Sequence, residues 1–257
     1  MDNADFSDLI EIMARLRSPD GCPWDREQTH DSIKGHLIEE TYEVIDAIES
    51  RDFSELKEEL GDLLLQVIFH SQMADEAGLF SIDDVINEIV LKLKRRHPHV
   101  FGDTKVSGSD EVLLNWERIK KTEKNRSSHL SGVPEGLPAL SYAQKLQEKA
   151  ARVGFDWRKR EEILDKLAEE IAEFTACEKG SREIEDEFGD ILFTLVNFGR
   201  HLGIDAELSL RRVDKKFRNR FEIMEEIAAE NGKNFADVEI NDKEKLWEQA
   251  KDKEETV

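Results

Sequence analysis

Apolar residues recur at three- and four-residue steps in two separate stretches of the chain. Leu56, Leu60, Leu63 and Val67 form one series, and Ile184, Phe188, Ile191 and Leu195 form another. That is the period of an α-helix and not the alternation of a strand. The surroundings of the two series match as well. LIEETYEVIDAI at 37–48 precedes LKEELGDLLLQVIFH at 56–70, and LAEEIAEFTAC at 167–177 precedes IEDEFGDILFTLVNFGRH at 184–201. Each pair leads to a basic helical segment, KLKRR at 92–96 and KFRNR at 216–220. Each then reaches a tryptophan among charged residues, Trp116 and Trp247. Four similar segments in one order indicate an internal duplication.

Punctuation between the copies supports the same division. KNRSSHLSGVPEGLPAL at 124–140 gathers Ser, Gly and Pro as a linker does. The sequence therefore predicts an all-α fold of two tandem helical-bundle domains, 1–125 and 137–257, joined by a linker over 126–136. Each copy reads as a bundle of about four helices. Ser81, followed by Asp83 and Asp84, predicts a helix start, and Pro98 ends the helix carrying 92–96. Residues 18–23 and 106–110 read as smaller loops, and no strand pair is predicted.

Composition narrows the chemistry. The 257 residues are 39% hydrophobic and 37% charged, with a net charge of −21. The apolar share suffices for a core. The acidity argues against a nucleic-acid partner, which calls for a basic face. It also repels bare polyphosphate, so a phosphate substrate would need a divalent cation. Cys22 and Cys177 fit neither a zinc pattern nor a disulfide framework, which predicts a reducing, cytoplasmic setting. Met1, Asp2 and Asn3 open no basic-then-apolar signal peptide. No stretch approaches the roughly 20 apolar residues of a membrane helix.

The acidic residues are spaced for a purpose. Glu170 and Glu173 share one helical face, as do Glu187 and Asp190 on the next helix. Two antiparallel helices bring these four together, and four carboxylates repel without a counterion. Their hard oxygens suit Mg²⁺ or Mn²⁺, with substrate phosphates completing the coordination. A polar stripe of Glu183, Glu187, Asp190, Thr194 and Asn197 runs beside the apolar one. Gly189 lies mid-helix at a cost of about 1 kcal/mol relative to Ala, which predicts close approach of another helix or a ligand. The first copy repeats the set as Glu40, Glu43, Glu59 and Asp62, with Gly61. Its polar stripe differs: Phe69 stands for Asn197, Gln66 for Thr194, His36 for Lys166, and Gln72 and Met73 for Arg200 and His201. On this reading the first copy is structural, regulatory or weakly active.

EE-x-x-E followed by E-x-x-D, with GCPWD at 21–25, ETYEV at 40–44, RRHPHVF at 95–101, VGFDW at 153–157 and the tandem layout, resembles the MazG-type all-α nucleotide pyrophosphohydrolases. The resemblance spans nearly the whole chain. It implies an ATP-binding, cytosolic homodimer that hydrolyses nucleoside triphosphates, ribo- or deoxyribo-, to monophosphate and pyrophosphate with Mg²⁺, Mn²⁺ being the other possibility. It implies that Glu170, Glu173, Glu187 and Asp190 are catalytic metal ligands and that the C-terminal domain is the main catalytic unit. It implies nucleotide contacts from Lys166, Leu167, Ala168, Glu169 and Glu170, from Glu183, Ile184, Glu185, Asp186 and Asp190, from Lys216, Phe217, Arg218, Asn219 and Arg220, and from Trp247. Physical reading agrees for part of this set: Lys216 and Arg220, one turn apart, suit phosphate oxygens, and Trp247 suits a base.

Other readings compete. One carboxylate acts as general base, with Glu169 as an alternative, and the sequence does not assign it. There is no Walker A loop and no Ser–His–Asp set. His97 and His99 read as capping or packing groups at a helix end, and GCPWD as a turn with an anchoring aromatic. A di-metal carboxylate oxidoreductase would use Glu-x-x-His, which these pairs lack. A non-catalytic helical interaction or regulatory module leaves the repeated carboxylate pairs unexplained.

Overall fold

Helix boundaries in the computed structural model follow the capping residues. The structure describes residues 4–109, 111–112, 115–116, 118–119, 128–178 and 180–254, all helix, turn or coil. Residues 1–3, residues 126–127 of the predicted linker and residues 117, 120 and 121 after Trp116 lie outside the described residues. The chain divides into two units, 1–124 and 125–257.

In the first unit, Asp5 caps α1 (Phe6–Arg17). Pro23 opens the short α2 (Pro23–Glu27), where its missing N–H is no loss. Thr29 and Ser32 form a capping box at the start of α3 (His30–Ser50). Asp52 caps α4 (Phe53–Glu76). Ser81 and Asp84 box the start of α5 (Ile82–Arg96), which ends at His97 before α6 (Pro98–Phe101), as the sequence predicts. Between α3 and α4 only Arg51 and Asp52 intervene. Arg51 adopts left-handed backbone, φ 58°, and its N–H closes on the last carbonyls of α3. This two-residue joint folds α4 back along α3. Met13, Ile33, Ile68, Phe69 and Met73 form the core. Arg17 ties the unit together: its guanidinium forks onto Glu76 at 2.8 to 3.1 Å, donates to the Asp25 carbonyl, and lies 5.4 Å from the Phe69 ring. Gly21 is required in the α1–α2 turn, where a Cβ would come within 2.1 Å of the Leu16 carbonyl oxygen. Trp24 is 56% exposed, so it is not the anchor of GCPWD. Arg17 holds that segment instead, through the Asp25 carbonyl.

The second unit contains α7 (Ala139–Ala151), α8 (Arg160–Ala176), α9 (Arg182–His201), α10 (Ala206–Glu230), a short 3₁₀ turn (Phe235–Asp237) and α11 (Ile240–Glu254). α8 pairs with α9, α10 with α11, and α7 lies against both α9 and α10. Ile163, Val196, Met224, Ile227, Ala228 and Ala250 are buried. Gln147, buried on α7, donates to the Phe193 carbonyl at 2.8 Å.

Helical periodicity is confirmed, yet much of the apolar series stays outside. Leu60 and Val67 on α4, and Phe188 and Leu195 on α9, are 39–52% exposed. The α3–α4 and α8–α9 pairs close on their other faces and present these rows outward. His97 is a packing residue as predicted. It binds the Leu93 carbonyl at 2.7 Å and meets the Trp116 ring edge-on at 4.9 Å.

Candidate active site

The pairing of α8 with α9 brings acidic groups from two helices together. Carboxylate oxygens of Glu170, Glu187 and Asp190 lie within 4.8 Å of one another. Glu173 stands outside that trio but close enough to act on Glu187 by charge. Glu170 is 5% exposed. Lys166, one turn earlier, reaches Glu170 at 2.9 Å and Glu169 at 2.7 Å, and these two carboxylates hold its ammonium firmly protonated. Glu187 Oε2 is buried without a hydrogen-bond partner. Burial, then the charges of Glu173, Glu170 and Asp190, push the Glu187 carboxyl above its usual range against the pull of Lys166. A carboxylate oxygen so placed lacks the donor that burial demands. A hard divalent cation would supply the missing partner, and an all-oxygen donor set fits one. Cys177, whose thiol burial and then Glu187 raise, stays neutral beside the cluster.

The first unit builds the same arrangement with a different trio. Glu40, Glu43 and Glu59 oxygens lie within 4.8 Å of one another, and Asp62 stands just outside. Burial, then Asp62 and Glu43, raise Glu40; burial, then Glu43 and Asp62, raise Glu59. His36 occupies the place of Lys166 but pairs with Glu39, at 3.3 Å. Gln66 reaches Glu40 at 3.4 Å.

The predicted polar stripe is not an open face. Thr194 and Asn197 are 5% and 3% exposed. Arg200 donates to Asn197 Oδ1 at 2.6 Å and to Asp156 at 2.5 Å, and His201 Nε2 meets the same Asp156 oxygen at 2.9 Å. Burial alone would raise Asp156, but Arg200 and His201 outweigh it and lower its carboxyl. Asn197 is therefore buried in a strut between α9 and the loop after α7, because α7 covers that part of α9. Sequence reasoning marked VGFDW as a motif but did not foresee this partnership across more than forty residues. Among the described residues, a Cβ added at Gly189 or Gly61 would meet nothing within 4 Å beyond its own helix backbone and chain neighbours, so no packed neighbour there explains them.

The remaining predicted nucleotide contacts fall in two places. Leu167 is half-buried on α8, with Ala168 and Glu169 exposed; at the start of α9, Ile184 is half-buried and Glu183, Glu185 and Asp186 are exposed. On α10, Lys216, Phe217, Arg218 and Asn219 are exposed. Arg220 is paired with Glu254 at 2.5 Å and lies 5.5 Å from the Trp247 ring, which also meets Phe217 at 5.4 Å. Arg96 and Trp116 repeat that stacking at 5.3 Å in the first unit. The Cα atoms of α10 do not come within 8 Å of those of α8. The structure thus unites the carboxylates with Lys166 and places Arg220 and Trp247 on a separate helix pair.

Tandem α-helical units, each with a carboxylate trio suited to a hard cation, define the class. Comparison with known proteins specifies it. The MazG nucleotide pyrophosphohydrolase domain matches residues 28–101, and phosphoribosyl-ATP pyrophosphohydrolase matches residues 138–217. The chain is 47% identical to the nucleoside triphosphate pyrophosphohydrolase/pyrophosphatase MazG of Thermotoga maritima, covering 98% of this chain and 97% of that one. It is 46% identical to the nucleoside triphosphate pyrophosphohydrolase of Escherichia coli K12, covering 96% and 97%. It is 50% identical to the uncharacterized protein YabN of Bacillus subtilis, covering 97% of this chain and 52% of that one. The chain belongs to the MazG family of nucleotide pyrophosphohydrolases. No helix among the described residues is long and apolar enough to cross a membrane.

Proposed function

We propose that the protein hydrolyses nucleoside triphosphates to monophosphates and pyrophosphate at the α8–α9 carboxylate site, using Mg²⁺. The observation that carries this reading is the trio Glu170, Glu187 and Asp190 with the orphaned Glu187 Oε2. Those three, with Glu173 beside them, would hold the cation. Bound there, the metal supplies Lewis acidity toward phosphoryl oxygens and makes a bound water easier to deprotonate. Lys166 pairs with Glu169 and Glu170 and so fixes both, and on this reading Glu170 would serve as ligand while exposed Glu169 would accept a proton from water. The Asp156–Arg200–Asn197 strut holds α9 against the unit and so keeps the position of Glu187 and Asp190 on it.

The C-terminal unit, 137–257 beyond the linker 126–136, is the main catalytic unit on this reading, because Lys166 stands beside its cluster where the first copy has His36. Arg220 would exchange Glu254 for substrate phosphate, with Lys216 nearby and Trp247 offered to the base. The protein works as a cytoplasmic homodimer, in which the outward apolar rows of α4 and α9 meet a second copy. Incubation with each NTP and Mg²⁺, followed by product identification, tests the activity. Monophosphate plus pyrophosphate is the expected result. Diphosphate plus phosphate, or no turnover, overturns it.

A further inference from the structure

Two histidines meet where α3 begins on α4. His30 is the first residue of α3, His70 lies toward the C-terminal end of α4, and their Nδ1 atoms are 2.8 Å apart. The ring planes agree within 6° and the centroids lie 5.1 Å apart. That separation is the N···N distance plus the two ring radii. The rings therefore meet edge to edge in one plane, in line for an N–H···N bond, and not face to face. His70 Nε2 is buried without a partner. A proton there would be a stranded donor. This assigns the proton of His70 to Nδ1, as donor, and leaves His30 Nδ1 as acceptor with its own proton on Nε2. The second unit has no such pair, since Arg160 and Phe198 stand at the matching positions.

Such a pair has no seat for a further proton. Added to His30 Nδ1, it would set N–H against N–H across 2.8 Å. Moving the His70 proton to Nε2 to make room would strand it in a buried place. Burial, then the charge of His30, lower the His70 imidazole below its usual range, and no carboxylate acts against them. Charged groups on the surrounding elements are engaged elsewhere or exposed. Arg17 of α1 is on Glu76 of α4, Arg26 of α2 on the Pro19 carbonyl, Lys34 of α3 on Asp31, and Asp84 of α5 on Ser81. Asp25 of α2 is half-buried and gives its carbonyl to Arg17, while Glu27, Asp75 and Asp83 are exposed. We propose that His30 and His70 form an acid-released latch, whose neutral hydrogen bond seats the first turn of α3 on α4 and whose uptake of one proton frees that turn. The proton comes from water and binds His30 Nδ1, the hydrogen bond from His70 is lost, and no other bond changes. The freed turn adjoins GCPWD, because only Gln28 and Thr29 separate α2 from α3. The latch thus ties the seating of that segment to pH, in the first unit alone.

Hydrogen–deuterium exchange of the full chain tests the latch, read by mass spectrometry on peptides at the start of α3 and corrected for the intrinsic pH dependence of exchange. A histidine lowered by folding stabilises the closed state above the ordinary value of 6.5, and that contribution is lost as pH falls. Opening that takes up one proton grows about ten-fold more favourable per pH unit. The wild type is therefore expected to lose about ten-fold protection there per unit below about pH 6.5, while peptides around Met224–Ala228 change little. His70→Asn puts an amide where Nδ1 stood, and its oxygen or its NH₂ can meet His30 in either protonation state. That variant is expected to keep its protection across the same range. His70→Ala removes the bond, so the start of its α3 is expected to be open already at neutral pH. Wild-type protection that does not change with pH overturns the proposal. An equal loss in His70→Asn also overturns it, by assigning the response to another group, as does wild-type protection in His70→Ala. The wild type and His70→Asn decide between these outcomes even where His70→Ala does not fold.

Discussion

Single side chains decide whether the clusters are sites or ornaments. Glu170 is the most buried carboxylate of the two clusters and is paired with Lys166, so its loss removes a ligand and one of the two carboxylates that hold Lys166. Glu170→Ala is expected to lower turnover by more than about a hundred-fold, beyond the 10–100-fold typical of groups that only support a ligand. Glu40→Ala should cost much less, and steady-state rates on one NTP compare them; equal losses with both proteins folded would remove the distinction between the units. The raised carboxyls of Glu187, Glu40 and Glu59 give a sign for pH as well. A carboxyl raised by folding favours the folded state when protonated. That contribution is full below the ordinary value of 4.5 and is lost as pH climbs through the higher folded value. Mg²⁺ should offset the loss, so the difference in melting temperature between Mg²⁺ and EDTA samples is expected to widen from pH 4.5 toward neutrality. A difference independent of pH would dissociate the metal from these carboxyls. The two sets of four acidic residues were legible because i, i+3 spacing on a helix survives any packing, but which three of each set converge was not. The Asp156–Arg200–His201 strut was not, because nothing local in VGFDW announces which distant helix it will meet.

The start of α5 at Ser81 and its end before Pro98 were readable from caps, the other joints were not, and one of those carries a cost that can be removed. Arg51 closes α3 in left-handed backbone, where a Cβ is strained by about 1–2 kcal/mol. Glycine fits that position, but it also loses more freedom on folding. Arg51→Gly is therefore expected to stabilise the protein by about 0.5–1 kcal/mol, visible as a higher urea midpoint; a lower midpoint would mean that the Arg51 side chain contributes more than its backbone costs. Burial within a helix was harder to read. The series Phe188, Ile191, Leu195 has the period of a core face, yet Phe188 and Leu195 remain about half exposed while Thr194 and Asn197 are buried. Period reports that a helix has an apolar side. It does not say whether that side meets the same chain or another one, and a polar pair such as Asn197–Arg200 can be buried cheaply when each group satisfies the other.

For the whole molecule, the outward rows lead to a solution experiment. Sedimentation equilibrium should report a dimer, and Phe188→Asp together with Leu195→Asp should shift it toward monomer; a monomeric wild type would assign these rows to some other contact. The two mid-helix glycines bear on the same surface. Gly189 sits between Glu187 and Asp190 with open space where a side chain would go, and Gly61 repeats it between Glu59 and Asp62. In an isolated helix pair such a residue is a defect, and Gly189→Ala should raise stability by about 1 kcal/mol. A protein that keeps the defect in both copies trades rigidity for room at the place where its substrate's phosphates would arrive. Gly189→Ala is then a single substitution in which thermal stability and turnover move in opposite directions. The melting temperature and kcat of that one variant would measure how much of this fold's stability is set aside for its work.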